Sequence, residues 1–159
     1  MKTKNFILDS FALLAYFQGE PGGTTVRDVL KEASAGSVSV MLSVVNLGEI
    51  YYIVARKRSK ETAMATVEDI SRLPVQLLDA RTERVLAAAD VKAHHPLSYA
   101  DAFVAAAAEE FAATIITGDP EFKQQNLYQS AVALVKEGLI FLGPTPKVFA
   151  QCAAGANLE

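Results

Sequence analysis

Residues 6–17 read FILDSFALLAYF: an apolar run closed by Asp9, then a helical segment opened by Ser10. The run is short and rich in branched and aromatic side chains, as a buried strand requires. The helical part ends at Gly19, and EPGG supplies a turn. Lys2 and Lys4 in front of the run imitate a secretory leader. Asp9 interrupts its apolar stretch, however, and no small-residue cleavage site follows, so a first strand and a first helix are expected.

Four further β-type runs follow: SVSVML (37–42), PVQLL (74–78), ATIIT (113–117) and GLIFL (138–142). Helical spacing fills the intervals. Thr24 or Thr25 can cap TVRDVLKEA, Ser43 can cap VVNLGEIYYIVARK, and Ser59 opens KETAMATVEDISRL. Asp79 can cap ARTERVLAAADVKA, Ser98 caps YADAFVAAAAEEF, and Pro120 suits a first helical position. Strands alternating with helices predict an α/β chain with a five-stranded parallel sheet covered on both faces. In such sheets ligands bind beyond the carboxyl ends of the strands, where strand order reverses. Asp9 ends the first strand and Asp119 follows the fourth, so the two converge if those strands are neighbours.

A chain of 159 residues, 51% hydrophobic and 21% charged, is expected to form one globular domain. The expected division is a domain over 1–143 and a tail over 144–159, where the strand signal fades. A net charge of −3 supplies no global attraction to nucleic acid, which would need a local basic patch or bound cations. The lone Cys152 excludes an internal disulfide framework and a multi-cysteine zinc site, and fits a reducing cytoplasm. The uncharged run 33–48 is too polar and too short to span a membrane, so no membrane partner is expected.

Four carboxylates stand out: Asp9, Glu49, Asp101 and Asp119. Three have an ordinary alternative. Asp9 can be a helix N-cap, although Ser10 competes for that role and would release Asp9 into a cleft. Asp101, three residues after Ser98, resembles a capping-box partner. Asp119 before Pro120 can cap or turn. Glu49 lacks that excuse. It lies inside a helix with no cation at i+4, beside apolar residues, and shares a face with Asn46. A set of this kind suits phosphodiester hydrolysis. Two hard divalent ions about 3.5–4 Å apart stabilise the attacking and leaving oxygens, and Mg²⁺ or Mn²⁺ takes oxygen ligands.

FILDSFALLAYF, SVVNLGEIYY, HPLSYADAFVAAAA and IITGDPEF together resemble the PIN domain family, and within it the VapC-type toxin ribonucleases, over about residues 5–142. The resemblance implies a three-layer α/β/α sandwich and an acidic Mg²⁺ or Mn²⁺ site made by Asp9, Glu49, Asp101 and Asp119. Asn46 and Thr117 would support it. It further implies an endoribonuclease leaving 5′-phosphate and 3′-hydroxyl ends, acting on RNA (tRNA among the candidates). As the toxin of a type II toxin–antitoxin system it would be held by a small antitoxin protein and would form a homodimer in the cytoplasm. Residues 124–130 and the stretch from Gly143 depart from the family pattern.

Arg56, Lys57, Arg58 and Lys60 cluster near the end of the Glu49 helix, as solvated charge at a helix C-terminus or as a phosphate-steering patch, with Arg81 and Arg84 as extensions. His94 and His95 before Pro96 read as helix-end residues. The alternative functions are a non-catalytic PIN-like binding module and a housekeeping PIN nuclease. A receiver-like reading lacks the acidic neighbour of Asp9, and a haloacid-dehalogenase-like one fails because Phe11 stands where a second Asp is needed.

Overall fold

The computed structural model describes residues 3–118 and the strands at 134–136 and 139–142. In chain order the elements are β1 (Lys4–Leu8), α1 (Ser10–Gln18), α2 (Gly23–Ser34), β2 (Val38–Ser43), α3 (Val44–Lys57), α4 (Lys60–Ser71) and β3 (Gln76–Leu78). They continue with α5 (Thr82–His94), α6 (Tyr99–Glu110), β4 (Thr114–Thr117), β5 (Leu134–Lys136) and β6 (Leu139–Leu142). The sheet order is β3-β2-β1-β4-β6-β5. β1 pairs in parallel with β2 on one side and with β4 on the other, Leu8 opposite Ile116. β3 pairs in parallel with β2. The chain therefore builds outward from β1 in one direction and returns to its other flank, which makes the β1–β4 boundary the switch point.

The expected α/β sandwich is present, with one difference in the sheet. Four strands are parallel, while β6 runs antiparallel to β4 and β5 runs antiparallel to β6. The run 138–142 does form a strand. A second strand at 134–136, two residues before it, makes a hairpin, and a hairpin cannot continue a parallel sheet.

Strand alternation divides the core. Phe6, Leu8, Val40, Leu42 and Ile116 face a cluster with Leu13 of α1, Val26 and Leu30 of α2, Ile50 of α3 and Ile70 of α4. Ile7, Met41, Leu78 and Ile115 face the opposite way, onto Val104, Ala107 and Ala108 of α6. The small side chains of α6 allow α5 to stack behind it through Ala88, Val91, Ala102, Phe103 and Ala106.

Local chemistry sets the helix boundaries. Ser43, Ser59 and Ser98 cap α3, α4 and α6 as expected, their hydroxyls accepting from the amides of Val45, Thr62 and Asp101. Two expected caps are replaced. α2 starts earlier, on Gly22 in the left-handed region, without a side-chain cap from Thr24 or Thr25. α5 starts on Arg81 in place of Asp79. Gly23 lies so close to α1 that a Cβ there would be 2.6 Å from the Ala15 carbonyl oxygen. No helix among the described residues is long and apolar enough to cross a membrane.

Candidate functional site

Asp9 directly follows β1, and its amide donates to the Ile116 carbonyl of β4 at 3.2 Å. Its side chain, 2% exposed, is the N-cap of α1: Oδ1 accepts from the Ala12 amide at 2.7 Å. Oδ2 accepts from the hydroxyl of Thr117, which is fully buried at the end of β4. Asp9 therefore does what the cap reading asked. Ser10 does not displace it, because Ser10 is the first helical residue and its hydroxyl points elsewhere.

That hydroxyl donates to Oε2 of Glu49. Ser10 Oγ also accepts from Asn46 Nδ2 at 3.3 Å and lies 3.2 Å from the Asn46 carbonyl oxygen. One hydroxyl has one proton, and the carboxylate is the stronger acceptor. Asn46 and Glu49 share a helix face, as their spacing predicts, and both meet Ser10. Asn46 is fully buried, and its Oδ1 has no hydrogen-bond partner among the described residues. Asp101, 8% exposed in the first turn of α6, accepts from the Ser98 hydroxyl at 2.7 Å while its own amide donates to that hydroxyl oxygen at 3.1 Å.

Asp9, Glu49 and Asp101 line a single pocket of about 130 Å³ with Ser10, Phe11, Ile53 and Ser98. Three of the four expected acidic residues thus come together from the N-cap of α1, from α3 and from α6, at the carboxyl end of β1 beside the switch point. Asp119 lies outside the described residues, as do 124–130 and the tail. The donors are hard oxygens, which suits Mg²⁺ or Mn²⁺ in preference to a soft metal, and a pocket of this size has room for a cation with some of its waters. The three described carboxylates do not close a ligand shell by themselves. Among the described residues no three His, Cys, Asp or Glu side chains stand close enough to hold one ion. Each is tied to a neighbouring hydroxyl or amide, and bare carboxylates repel one another.

The basic cluster is elsewhere. Arg56, Lys57, Arg58 and Lys60 are all exposed. Lys57 and Arg58 line a separate pocket of about 530 Å³ with Leu14, Phe17 and Thr62, which shares no residue with the acidic one. Arg81 and Arg84 do not extend the cluster, because both pair with Glu110, at 3.6 and 2.7 Å. The Arg84 hydrogen bonds hold the Glu110 carboxyl below its usual range, and the same bonds raise the guanidinium. Burial, then the neighbouring His94, pushes His95 below the ordinary imidazole value. Burial raises Glu109. His94 bonds to the Asp90 carbonyl at 2.9 Å as a helix-end residue. Four pocket residues were not singled out from the sequence as site residues: Ser10 and Phe11, which follow Asp9, Ile53, one turn after Glu49, and Ser98, three residues before Asp101. Their spacing from the expected carboxylates was the available signal.

The PIN domain model matches residues 6–126, well over half of the chain. Among solved structures, the fold is similar to that of VapBC2 from Rickettsia felis, determined bound to a DNA fragment from their promoter. The TM-score is 0.59 at 15% identity, over 76% of this chain and 92% of that one. It is also similar to Mycobacterium tuberculosis VapC20, a sarcin-ricin loop cleaving toxin, with a TM-score of 0.51 at 20% identity, over 65% and 80% of the two chains. At these identities the likeness is one of fold. No curated protein matches the sequence. With the acidic pocket at the β1–β4 switch point and the family match spanning α1 through β4, the chain is a member of the PIN domain family.

Proposed function

We propose that this protein is a metal-dependent endoribonuclease of the VapC kind, the toxin of a type II toxin–antitoxin pair. The supporting observation is the convergence of Asp9, Glu49 and Asp101 on one pocket beside the switch point. These three, with Asp119, would hold one or two Mg²⁺ or Mn²⁺ ions. When bound, the ions would supply Lewis-acid stabilisation of the charge that develops on the phosphodiester oxygens.

The protein's own contribution is to hold the carboxylates in place. The Ala12 amide and the Thr117 hydroxyl keep Asp9 oriented through both of its oxygens. The Ser10 hydroxyl, which Asn46 donates to, holds Glu49, and Ser98 holds Asp101. The domain is assigned to 1–143, with 144–159 as a tail. RNA is the substrate, a small antitoxin and a second copy of the chain are the protein partners, and the cytoplasm is the compartment.

The test is Mn²⁺- or Mg²⁺-dependent cleavage of structured RNA by the wild type and by Asp9→Asn. Equal activity of the two overturns the assignment. A metal titration that shows no binding lost in Glu49→Gln points instead to a non-catalytic binding module. Growth arrest on expression, relieved by Asp101→Ala, separates a toxin from a housekeeping nuclease.

A further inference from the structure

Phe11 is 52% exposed, yet it lines the same small pocket as Asp9, Glu49 and Asp101. It is the second residue of α1, and its chain neighbours Ser10 and Ala12 are buried. Among the described residues its ring has no aromatic partner. By contrast, Tyr16 packs edge-on against Phe17, and Tyr99 against Phe103, each pair at 5.1 Å.

The rest of the pocket sharpens the question of how a polyanion would be held there. Its described lining contains no Lys, Arg or His. The exposed Lys57 and Arg58 line a different pocket, and the chain carries a net charge of −3. Among the described residues, no side-chain cation of the protein lines the place where the scissile phosphate would sit. Phe11 and Ile53 are the only wide apolar surfaces in the described lining. A base offers a π-face that an aromatic ring can take without any positive charge. Duplex RNA hides those faces, whereas loops and single strands expose them.

We infer that Phe11 is a substrate-binding residue whose exposed ring stacks on an unpaired base beside the scissile phosphate. The inference rests on the nuclease reading above and adds the recognition element that reading lacks. Stacking formed equally in the ground and transition states appears in KM and not in kcat.

The experiment uses RNA hairpins with randomised single-stranded loops, Mn²⁺, and the full chain as wild type, Phe11→Ala, Phe11→Leu and Phe11→Tyr. The readouts are kcat and KM separately, quenching of 2-aminopurine placed in the loop, and the melting temperature. Phe11→Ala and Phe11→Leu are expected to lose about tenfold in kcat/KM through KM, with 2-aminopurine quenching lost as well. Phe11→Tyr should stay close to the wild type, and melting should be unchanged throughout because the ring is half exposed. If the wild type cleaves and Phe11→Ala or Phe11→Leu matches it, the stacking inference is overturned and the nuclease reading stands. If Phe11→Ala alters sedimentation of the RNA-free protein and leaves cleavage intact, the ring belongs to a protein interface and the inference is likewise overturned. A wild type that cleaves none of the hairpins removes the nuclease reading and this inference with it.

Discussion

The hydroxyl of Ser10 donates to the carboxylate of Glu49, 39 positions further along the chain. The bond joins the first turn of α1 to α3 and fixes one wall of the acidic pocket relative to another. Asn46 Nδ2 completes the arrangement by donating to the same hydroxyl oxygen. The pocket's geometry thus depends on a serine whose hydroxyl meets both α3 side chains.

Ser10→Ala leaves the buried Asn46 amide without its acceptor, which costs about 1–3 kcal/mol of stability. It should also weaken Mn²⁺ binding by about 10–100-fold, as loss of a group that orients a ligand does. Isothermal titration reads the affinity. Val29→Ala, a core change in α2, serves as the control, since it should cost stability without moving the Mn²⁺ affinity. Equal affinity of Ser10→Ala and wild type would show that Glu49 needs no such support.

Metal should stabilise the fold, because a cation that binds only the native pocket shifts the unfolding equilibrium. At a Mn²⁺ concentration near a hundred times its Kd the gain is about 2.7 kcal/mol, or roughly 5–10 °C in Tm for a chain of this size. Differential scanning calorimetry checks it. The shift should vanish in Glu49→Gln, and a wild-type Tm indifferent to Mn²⁺ would contradict the proposed site.

Gly23→Ala tests the packing of α2 on α1. The added methyl would meet the Ala15 carbonyl oxygen at 2.6 Å, and that oxygen belongs to backbone that cannot turn aside. A loss of about 1–3 kcal/mol in urea unfolding is expected. Gly48→Ala is the contrast, since a Cβ there meets nothing within 4 Å. It sits inside α3 and should be neutral to slightly stabilising.

Glu110→Gln tests the staple between the start of α5 and the end of α6. Arg84 donates to both Glu110 oxygens, at 2.7 and 2.9 Å. The Glu110 carboxyl is held below its reference value of 4.5, so the native state favours its ionised form. Its contribution is complete above that reference and disappears as pH falls through the lowered native value. At pH 7 the variant should melt about 2–4 °C lower, the equivalent of about 1 kcal/mol for a partly exposed pair. The gap should close in acid. A gap that stays constant from pH 7 to pH 2 would mean that the ion pair is not its source.

Much of the architecture is legible without coordinates because its causes are local. A branched apolar run makes a strand wherever it falls, and Ser43, Ser59 and Ser98 cap the helices that follow them because a hydroxyl reaches an amide only a few residues away. The alternation of Phe6, Ile7 and Leu8 already assigns opposite faces. The pairing of Asn46 with Glu49 on one helix face follows from a period of 3.6 residues.

What folding adds is non-local. The antiparallel β5–β6 hairpin depends on how the chain returns to the edge of β4, and a five-residue run reads the same in either direction. Asp9 turned out to cap α1 and also to line the pocket, because Thr117 reaches it only after β4 pairs with β1. Ser10 is a weak competitor for a cap when read in sequence, and a hydrogen-bond donor to Glu49 once α3 crosses beside it. The exposure of Phe11 could not be read from FILDSFALLAYF, where it is one apolar residue among many. Which side chains stay in water is decided by the elements that pack around them, and those arrive from distant parts of the chain.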